Sequence, residues 1–356
     1  MNDDTRLRDG LGPRASPQGP AAAGDGAQAG PTSGSSVYAA LDLGTNNCRL
    51  LIACPTDDGF RVVDSFSRII RLGEGISATG SISDAAIERA ITALSICRDK
   101  IQSRKARRLR LIATEACRAA SNAKGFRDRV AAETGIQLEV INRETEAALA
   151  VIGCSPLLDP KGRGAILFDI GGGSTELVRV ERDPDQQNAV PRIKGWMSIP
   201  LGVVTLAEHF GGRVVTAQSY ARMVQEVAQH VAPFAAEHGG DLADMHLLGT
   251  SGTVTTLAGV HLNLARYDRR RIDGVWMSDA DLTVTIKRLL CMSYQERANN
   301  NCISVERADL VLAGCAILDA IRQAFPLSRL RVADRGLREG MLVEMMREDG
   351  VLSGCR

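Results

Sequence analysis

One pattern occurs twice in this chain and limits what it can fold into. An apolar strand ends in Asp, one apolar residue follows, and Gly opens a turn. The pattern stands at Asp42-Leu43-Gly44 within VYAALDLGTNNCRLLIA and again at Asp169-Ile170-Gly171 within AILFDIGGGSTELVRV. Each copy reads as strand, tight turn, strand, and a repeated hairpin of this kind points to a duplicated domain. A third Gly turn, LLGTSGTVTTLAGV at 247–260, differs because its strand feeds a helix.

Amphipathic helices separate these turns. Ser83 reads as the N-cap of a helix carrying Ile87, Ala90, Ile91, Leu94 and Ile101 at helical spacing. Asn122 to Thr134 reads as another, stopped by Gly135, and Thr216 to His238 as a long one. Ser278 caps the next, and Ser304 is expected to begin a helix carrying Leu310, Leu312, Ile317, Leu318 and Ile321. The strand RLRVAD and the helix GLREGMLVEMMRE close the pattern. This alternation of strands and helices gives the α/β class. A length of 356 residues suits two domains. We expect one over 37–150 and a second over 151–336, with the helix at about 337–348 packing back on the first. Residues 1–36 are Gly, Pro, Ala, Ser and Asp with almost no large apolar side chain, and read as a disordered tail.

Composition removes several alternatives. Lys and Arg (43) balance Asp and Glu (42), so no global field draws the chain to nucleic acid or to a membrane. No apolar run is long enough to span a bilayer, and MNDDTRLRDG lacks the apolar stretch of a signal peptide. The nine cysteines are scattered, with no C-x-x-C pair and no histidine cluster, so they read as free thiols of a reducing compartment. The cytoplasm is the expected location. A homodimer is an oligomeric state the sequence permits.

The strongest chemical signal is Asp169-Ile-Gly-Gly-Gly-Ser-Thr-Glu176. Consecutive glycines let Gly171, Gly172 and Gly173, with Ser174 and Thr175, present several N–H groups to one anion. A carboxylate on each side of an anion cradle calls for a cation between them. Asp169 and Glu176 are therefore candidate ligands of Mg²⁺, or Mn²⁺, through oxygen atoms and water. The alternative is a plain hairpin with Gly chosen for geometry. In the first hairpin, Asp42, Gly44, Thr45, Asn46 and Asn47 can hydrogen-bond phosphate oxygens, although Asn and Gly are also routine turn formers. Gly249, Thr250, Ser251, Gly252 and Thr253 precede a helix, whose free N–H groups and dipole would face an anion. No Walker A pattern occurs anywhere in the chain.

Taken together, the two hairpins, the third turn and the 169–176 loop resemble the exopolyphosphatase / guanosine pentaphosphate phosphatase family. Further matching segments are ATEACRAASN (113–122), INRETEAALAVIGC (141–154), SIPLGVVTLAEHFG (198–211) and DRGLREGML (334–342). The resemblance runs from about Val37 to Met346 and implies two ribonuclease-H-like domains around a central cleft, as in the actin, sugar-kinase and Hsp70 ATPase-type group. It also implies a water-activating glutamate at Glu146, a phosphate-contacting arginine at Arg118, and a metal- and phosphate-binding loop at Asp169, Gly171, Ser174 and Glu176. The implied substrates are polyphosphate, guanosine pentaphosphate, or both.

The chain also departs from the family pattern. Where the family usually has Gly-x-Glu-Glu-Ala-Arg, this chain has Arg143-Glu-Thr-Glu-Ala-Ala148. It keeps the Glu that adjoins Ala and changes the neighbours that set local charge. The extra helical region that long members carry after the two domains is expected to be missing. Arg104, Lys105, Arg107, Arg108 and Arg110, and the loop run Arg269–Arg271, could track a polyanion, but read better as solvated ends. A kinase or ATPase of the same fold and a non-catalytic alarmone- or polyphosphate-binding module are the rival readings.

Overall fold

The computed structural model describes residues 36–57, 59–182 and 191–352. The tail expected over 1–36 lies, apart from Ser36, outside the described residues, and so does Cys355. The described residues form one compact unit. It holds two sheets, each flanked by helices.

The first sheet contains β1 (Tyr38–Leu43), β2 (Asn47–Thr56), β3 (Gly59–Ile69), β4 (Arg108–Ala113) and β5 (Glu139–Val140). With it come α1 (Ile76–Thr79), α2 (Asp84–Ser103), α3 (Glu115–Ala119), α4 (Ala123–Thr134) and α5 (Arg143–Cys154). The second sheet contains β6 (Gly164–Ile170), β7 (Thr175–Glu181), β8 (Arg192–Ile199), β9 (Met245–Thr250), β10 (Trp276–Ser278) and β11 (Arg329–Ala333). Its helices are α6 (Val203–Phe210), α7 (Ala217–His238), α8 (Gly252–His261), α9 (Arg269–Ile272), α10 (Asp279–Cys291), α11 (Tyr294–Ala298) and α12 (Val311–Ala324), while α13 (Leu337–Glu348) returns to the first sheet.

The strand orders repeat one another. The first sheet runs β3-β2-β1-β4-β5, and the second runs β8-β7-β6-β9-β11 with β10 added beyond β11. In each, the hairpin is antiparallel and the next strand joins parallel. Duplication, inferred from two turns, therefore extends to the whole sheet.

Each sheet buries both faces. One face of the first packs on α2 and α4 through Ile87, Leu94, Phe126 and Val130, and the other on α13 through Met341, Leu342 and Met345. The second sheet packs one face on α7, α8 and α12 through Val227, Phe234, Leu257 and Ile317. Its other face meets α5 through Ala147, Ala150 and Val151, while Leu149 of the same helix faces the first sheet. Helix α5 thus carries its N-terminus to a point between the two sheets. Gly340 of α13 lies against the Leu149 carbonyl so closely that an added Cβ would sit 2.0 Å from it. Only Gly permits that helix crossing.

Capping follows the sequence closely. Ser83, Asn142, Thr216 and Ser278 each accept a backbone N–H from the third residue of their helix. The helix expected from Ser304 does not form as one piece. Ser304 opens a single 3₁₀ turn, Val305–Arg307, and α12 begins only at Val311. Tertiary contacts override local pattern there: Asp309 pairs with Arg71 at 3.0 Å, and Gly212 packs on the Asp309 backbone. The apolar residues assigned to that helix are nonetheless buried. Among the described residues, no helix is long and apolar enough to cross a membrane.

Candidate functional site

The two duplicated turns close identically. Gly44 N–H donates to the Asn47 carbonyl and Gly171 N–H to the Ser174 carbonyl, both at 2.9 Å. The two turns face each other and nearly touch. A Cβ on Gly172 would lie 3.0 Å from Thr45 Cβ, and one on Gly173 would lie 3.1 Å from Thr45 Oγ1. The triple glycine therefore serves the approach of the turns, and none of its members has positive φ.

A cavity of about 100 Å³ lies between them. Asp42, Gly44, Thr45, Asn46, Asn47, Asp169, Gly171, Gly172, Gly173, Ser174 and Glu176 all line it, together with Glu146, Ser251, Gly252 and Thr253. Four expected residues do not. Thr175 is fully buried and donates to the Leu201 carbonyl at 2.7 Å, because strand alternation turns it into the core. Gly249 lies against the Phe168 ring, where a Cβ would clash at 2.5 Å. Arg118 sits behind the wall. Its Nη1 lies 2.8 Å from Glu146 Oε2 and donates to the Ile141 carbonyl at 2.9 Å. Thr250 borders a neighbouring cavity and donates to the Arg335 carbonyl at 2.7 Å.

Five acids line the first cavity: Asp42, Glu115, Glu146, Asp169 and Glu176. Asp169 and Glu176 are directly opposed across the β6–β7 ladder, so their side chains share a face. Burial, and then the charge of Glu146, push the Asp169 carboxyl up to about 7. Burial and Asp169 raise Glu176, against hydrogen bonds from the Ser174 and Ser198 hydroxyls at 2.8 and 2.9 Å. Glu146 also stands well above the usual carboxylate range, through burial and the Glu176 charge, while Arg118 pulls it down. Asp42 is raised by burial and lowered by Arg49.

These residues fit a hard divalent cation. Their carboxylates resist ionising together, and Asn46 Oδ1 and Asn47 Oδ1 are buried oxygens without a hydrogen-bond partner. All the available donors are oxygen. Among the described residues no group of three or more His, Cys, Asp or Glu side chains could hold a metal by itself. Mg²⁺ needs no such cage, since it commonly takes one or two carboxylates and fills its other positions with water and phosphate.

Sequence reasoning missed a second cavity of about 750 Å³, which shares Asp42, Arg49, Asp169, Ser251, Gly252 and Arg307 with the first. Arg49, Arg68, Arg307 and Arg338 line it, and among the described residues none of the four has an ion-pair partner within 4 Å. Burial, and then the nearby Arg49 charge, push the Arg307 guanidinium down to about 10. The basic runs fare differently. Arg108 pairs with Glu348 and Arg110 with Glu344, both on α13. The run at 269–271 is a helical turn rather than a loop, with Arg269 on Glu339 at 2.7 Å. Arg108, Arg110 and Arg269 thus serve packing, while Lys105, Arg107, Arg270 and Arg271 stay exposed. A distributed arginine set such as 49, 68, 307 and 338 has no linear signature.

The sequence pattern of the Ppx/GppA phosphatase family matches residues 51–349. The guanosine-5'-triphosphate,3'-diphosphate pyrophosphatase of Vibrio vulnificus (strain YJ016) is 28% identical over 318 residues, covering 88% of this chain and 60% of that protein. The Vibrio cholerae (El Tor Inaba N16961) protein of the same name is 28% identical over 320 residues with the same coverage. The chain thus spans about 60% of the length of the curated relatives it matches. Among solved structures, the Aquifex aeolicus member of the Ppx/GppA family superposes with a TM-score of 0.73 at 29% identity, covering 88% of this chain and 98% of that one. The fold is the actin-like α/β arrangement of two sheets that the resemblance implied. With that match over most of its length, the chain belongs to the Ppx/GppA phosphatase family.

Proposed function

We propose that this chain is a phosphoanhydride hydrolase that releases terminal orthophosphate from inorganic polyphosphate, the 5′-terminal phosphate of guanosine pentaphosphate, or both. One observation carries the reading: two hairpin turns meet over a cavity whose wall holds Glu146, a buried carboxyl with a raised proton affinity. The name of the Vibrio relatives supports the nucleotide substrate.

The terminal phosphate would rest between the turns at Gly44–Asn47 and Gly171–Ser174, accepting hydrogen bonds from their free backbone N–H groups. Glu146 takes a proton from water as the water oxygen bonds to phosphorus and the bridging oxygen leaves with the rest of the chain. A carboxyl whose proton affinity lies near neutrality is matched to that task, and such a base contributes about 10²–10⁴-fold in rate. Arg118 aims the Glu146 carboxylate. Asp169 and Glu176 would hold Mg²⁺ or Mn²⁺ through oxygen atoms and water, supplying positive charge against the phosphate oxygens. Arg49, Arg68, Arg307 and Arg338 suit the remaining phosphates of the chain. The eight described cysteines are all free, which suits a cytoplasmic location.

The test is phosphate release from polyphosphate and from guanosine pentaphosphate, each with Mg²⁺ and with excess chelator. Release from at least one with Mg²⁺, and none in chelator, is expected. Tight binding without turnover would make the protein a binding module. Transfer to an acceptor other than water would make it a kinase.

A further inference from the structure

The first half of the fold puts a carboxylate where the second half has a glycine. Glu115 and Gly252 are each the first residue of the helix that follows the fourth strand of their half, and both line the first cavity. The Glu115 side chain is 12% exposed and lies against the second turn, since a Cβ on Gly173 would meet Glu115 Cγ at 3.3 Å. A bare carboxylate there would oppose any polyanion entering the cleft. It is not bare: Oε2 accepts from Arg118 Nε at 2.9 Å, and Oε1 accepts from Arg143 Nη2 at 2.7 Å.

The two arginines are not equally committed. Arg118 also reaches the Ile141 carbonyl and Glu146, so it cannot turn toward a ligand without releasing Glu146. Arg143 is 42% exposed, its Nε has no hydrogen-bond partner, and Glu115 is its one carboxylate among the described residues. It is the first residue of α5, three positions before Glu146, and stands where the family pattern usually has Gly.

We propose that Glu115 and Arg143 form an exchangeable ion pair that sets how tightly the cleft takes a phosphate chain. Glu115 lines the first cavity and holds Arg143 just behind it, since Arg143 lines neither cavity, and a phosphate seated beside the Gly171–Ser174 turn replaces Glu115 on that guanidinium as Arg143 turns inward. The pair is neutral before exchange. After it, Arg143 presents two parallel N–H donors to phosphate oxygens, while Glu115 keeps its bond to Arg118. Glu115 then competes with substrate for Arg143, and Arg143 is a specificity-determining contact of this chain. The inference rests on the phosphate-chain reading of the site.

The experiment is steady-state hydrolysis of tripolyphosphate with Mg²⁺ by the wild type, Glu115→Gln, Arg143→Ala and the double variant. Removing the competitor should lower KM about three- to tenfold in Glu115→Gln. Arg143→Ala should raise KM by about tenfold, and in the double variant the gain from Glu115→Gln should vanish. Both effects should fall on KM rather than kcat. Calorimetric titration of tripolyphosphate in chelator should rank the variants in the same order. Because that titration needs no turnover, a wild type that releases no phosphate would sink the hydrolase reading alone. A raised KM in Glu115→Gln, a fall confined to kcat, or additive single effects would overturn the exchange. Should Arg143→Ala not fold, Arg143→Lys keeps the charge and loses the fork, and an unchanged KM there would overturn it equally.

Discussion

The hairpin at Asp42–Arg49 and the hairpin at Asp169–Glu176 share a backbone and differ in charge. Both closures use the same Gly-to-carbonyl hydrogen bond, and in both the Asp is paired across the ladder with the residue seven positions on. In the first hairpin that partner is Arg49, and its charge lowers the proton affinity that burial raises in Asp42. In the second it is Glu176, whose proton affinity is raised by burial and Asp169, while burial and Glu146 raise Asp169. Duplication kept the turn geometry, while divergence at one cross-strand position gave one copy an Asp–Arg pair and the other a pair of acids. A symmetric scaffold thereby gains two unlike walls, which under the proposed function would take phosphate on one side and metal and base on the other.

The largest expected effect concerns the acid that faces the second hairpin. Glu146→Gln should lower kcat by about 10²–10⁴-fold while leaving tripolyphosphate binding near normal, whereas the exposed Glu144→Gln should cost much less. Near-full phosphate release from Glu146→Gln would remove the base from that wall and end the functional asymmetry.

The asymmetry itself can be broken one hairpin at a time. Asp169→Asn and Glu176→Gln should each raise the Mg²⁺ concentration for half-maximal activity on the order of 10- to 100-fold. Arg49→Gln should raise KM for the phosphate chain about tenfold and leave the Mg²⁺ requirement alone. Metal titrations of activity decide between these, and an Arg49 variant with an altered metal requirement would show that the two walls are not separable.

The smallest effect is on stability. An acid whose folded-state proton affinity is raised binds protons more readily folded than unfolded, so its burial penalty is full above the folded value and fades as pH falls toward the unfolded one. For Asp169 that window runs from about 7 down to the ordinary carboxylate range. In chelator, Asp169→Asn should therefore melt roughly 2–4 °C above the wild type at pH 8, and the gap should shrink below pH 7 and close only near pH ~4. For Asp42→Asn the gap at pH 8 should be smaller, since Arg49 already offsets that charge. Equal gaps for the two variants would contradict the comparison.

Features governed by a few neighbouring residues were legible in the sequence. The turns at Gly44 and Gly171, the caps at Ser83, Thr216 and Ser278, and the stop at Gly135 depend on local hydrogen bonding and backbone preference. Even the opposition of Asp169 and Glu176 follows from a two-sided hairpin with a closed turn. The Ser304 helix failed as a reading because Asp309 answers to Arg71, 238 residues away. Thr175 failed as a phosphate contact because the pleat, which a list of loop residues ignores, turns it inward.

The sequence by itself determined the α/β class, the repeated strand–Asp–Gly hairpins, and the identity of most cavity-lining groups, because alternation, periodicity and turn chemistry act over a few residues. Only the tertiary structure decided which of those groups face one another. Arg118 stands behind Glu146, Glu115 takes its place in the wall, and four arginines drawn from three separate stretches of chain converge on one cavity. Burial and charge pairing depend on distance in space, and in this fold the walls of the site come from both sheets and from the helix that passes between them.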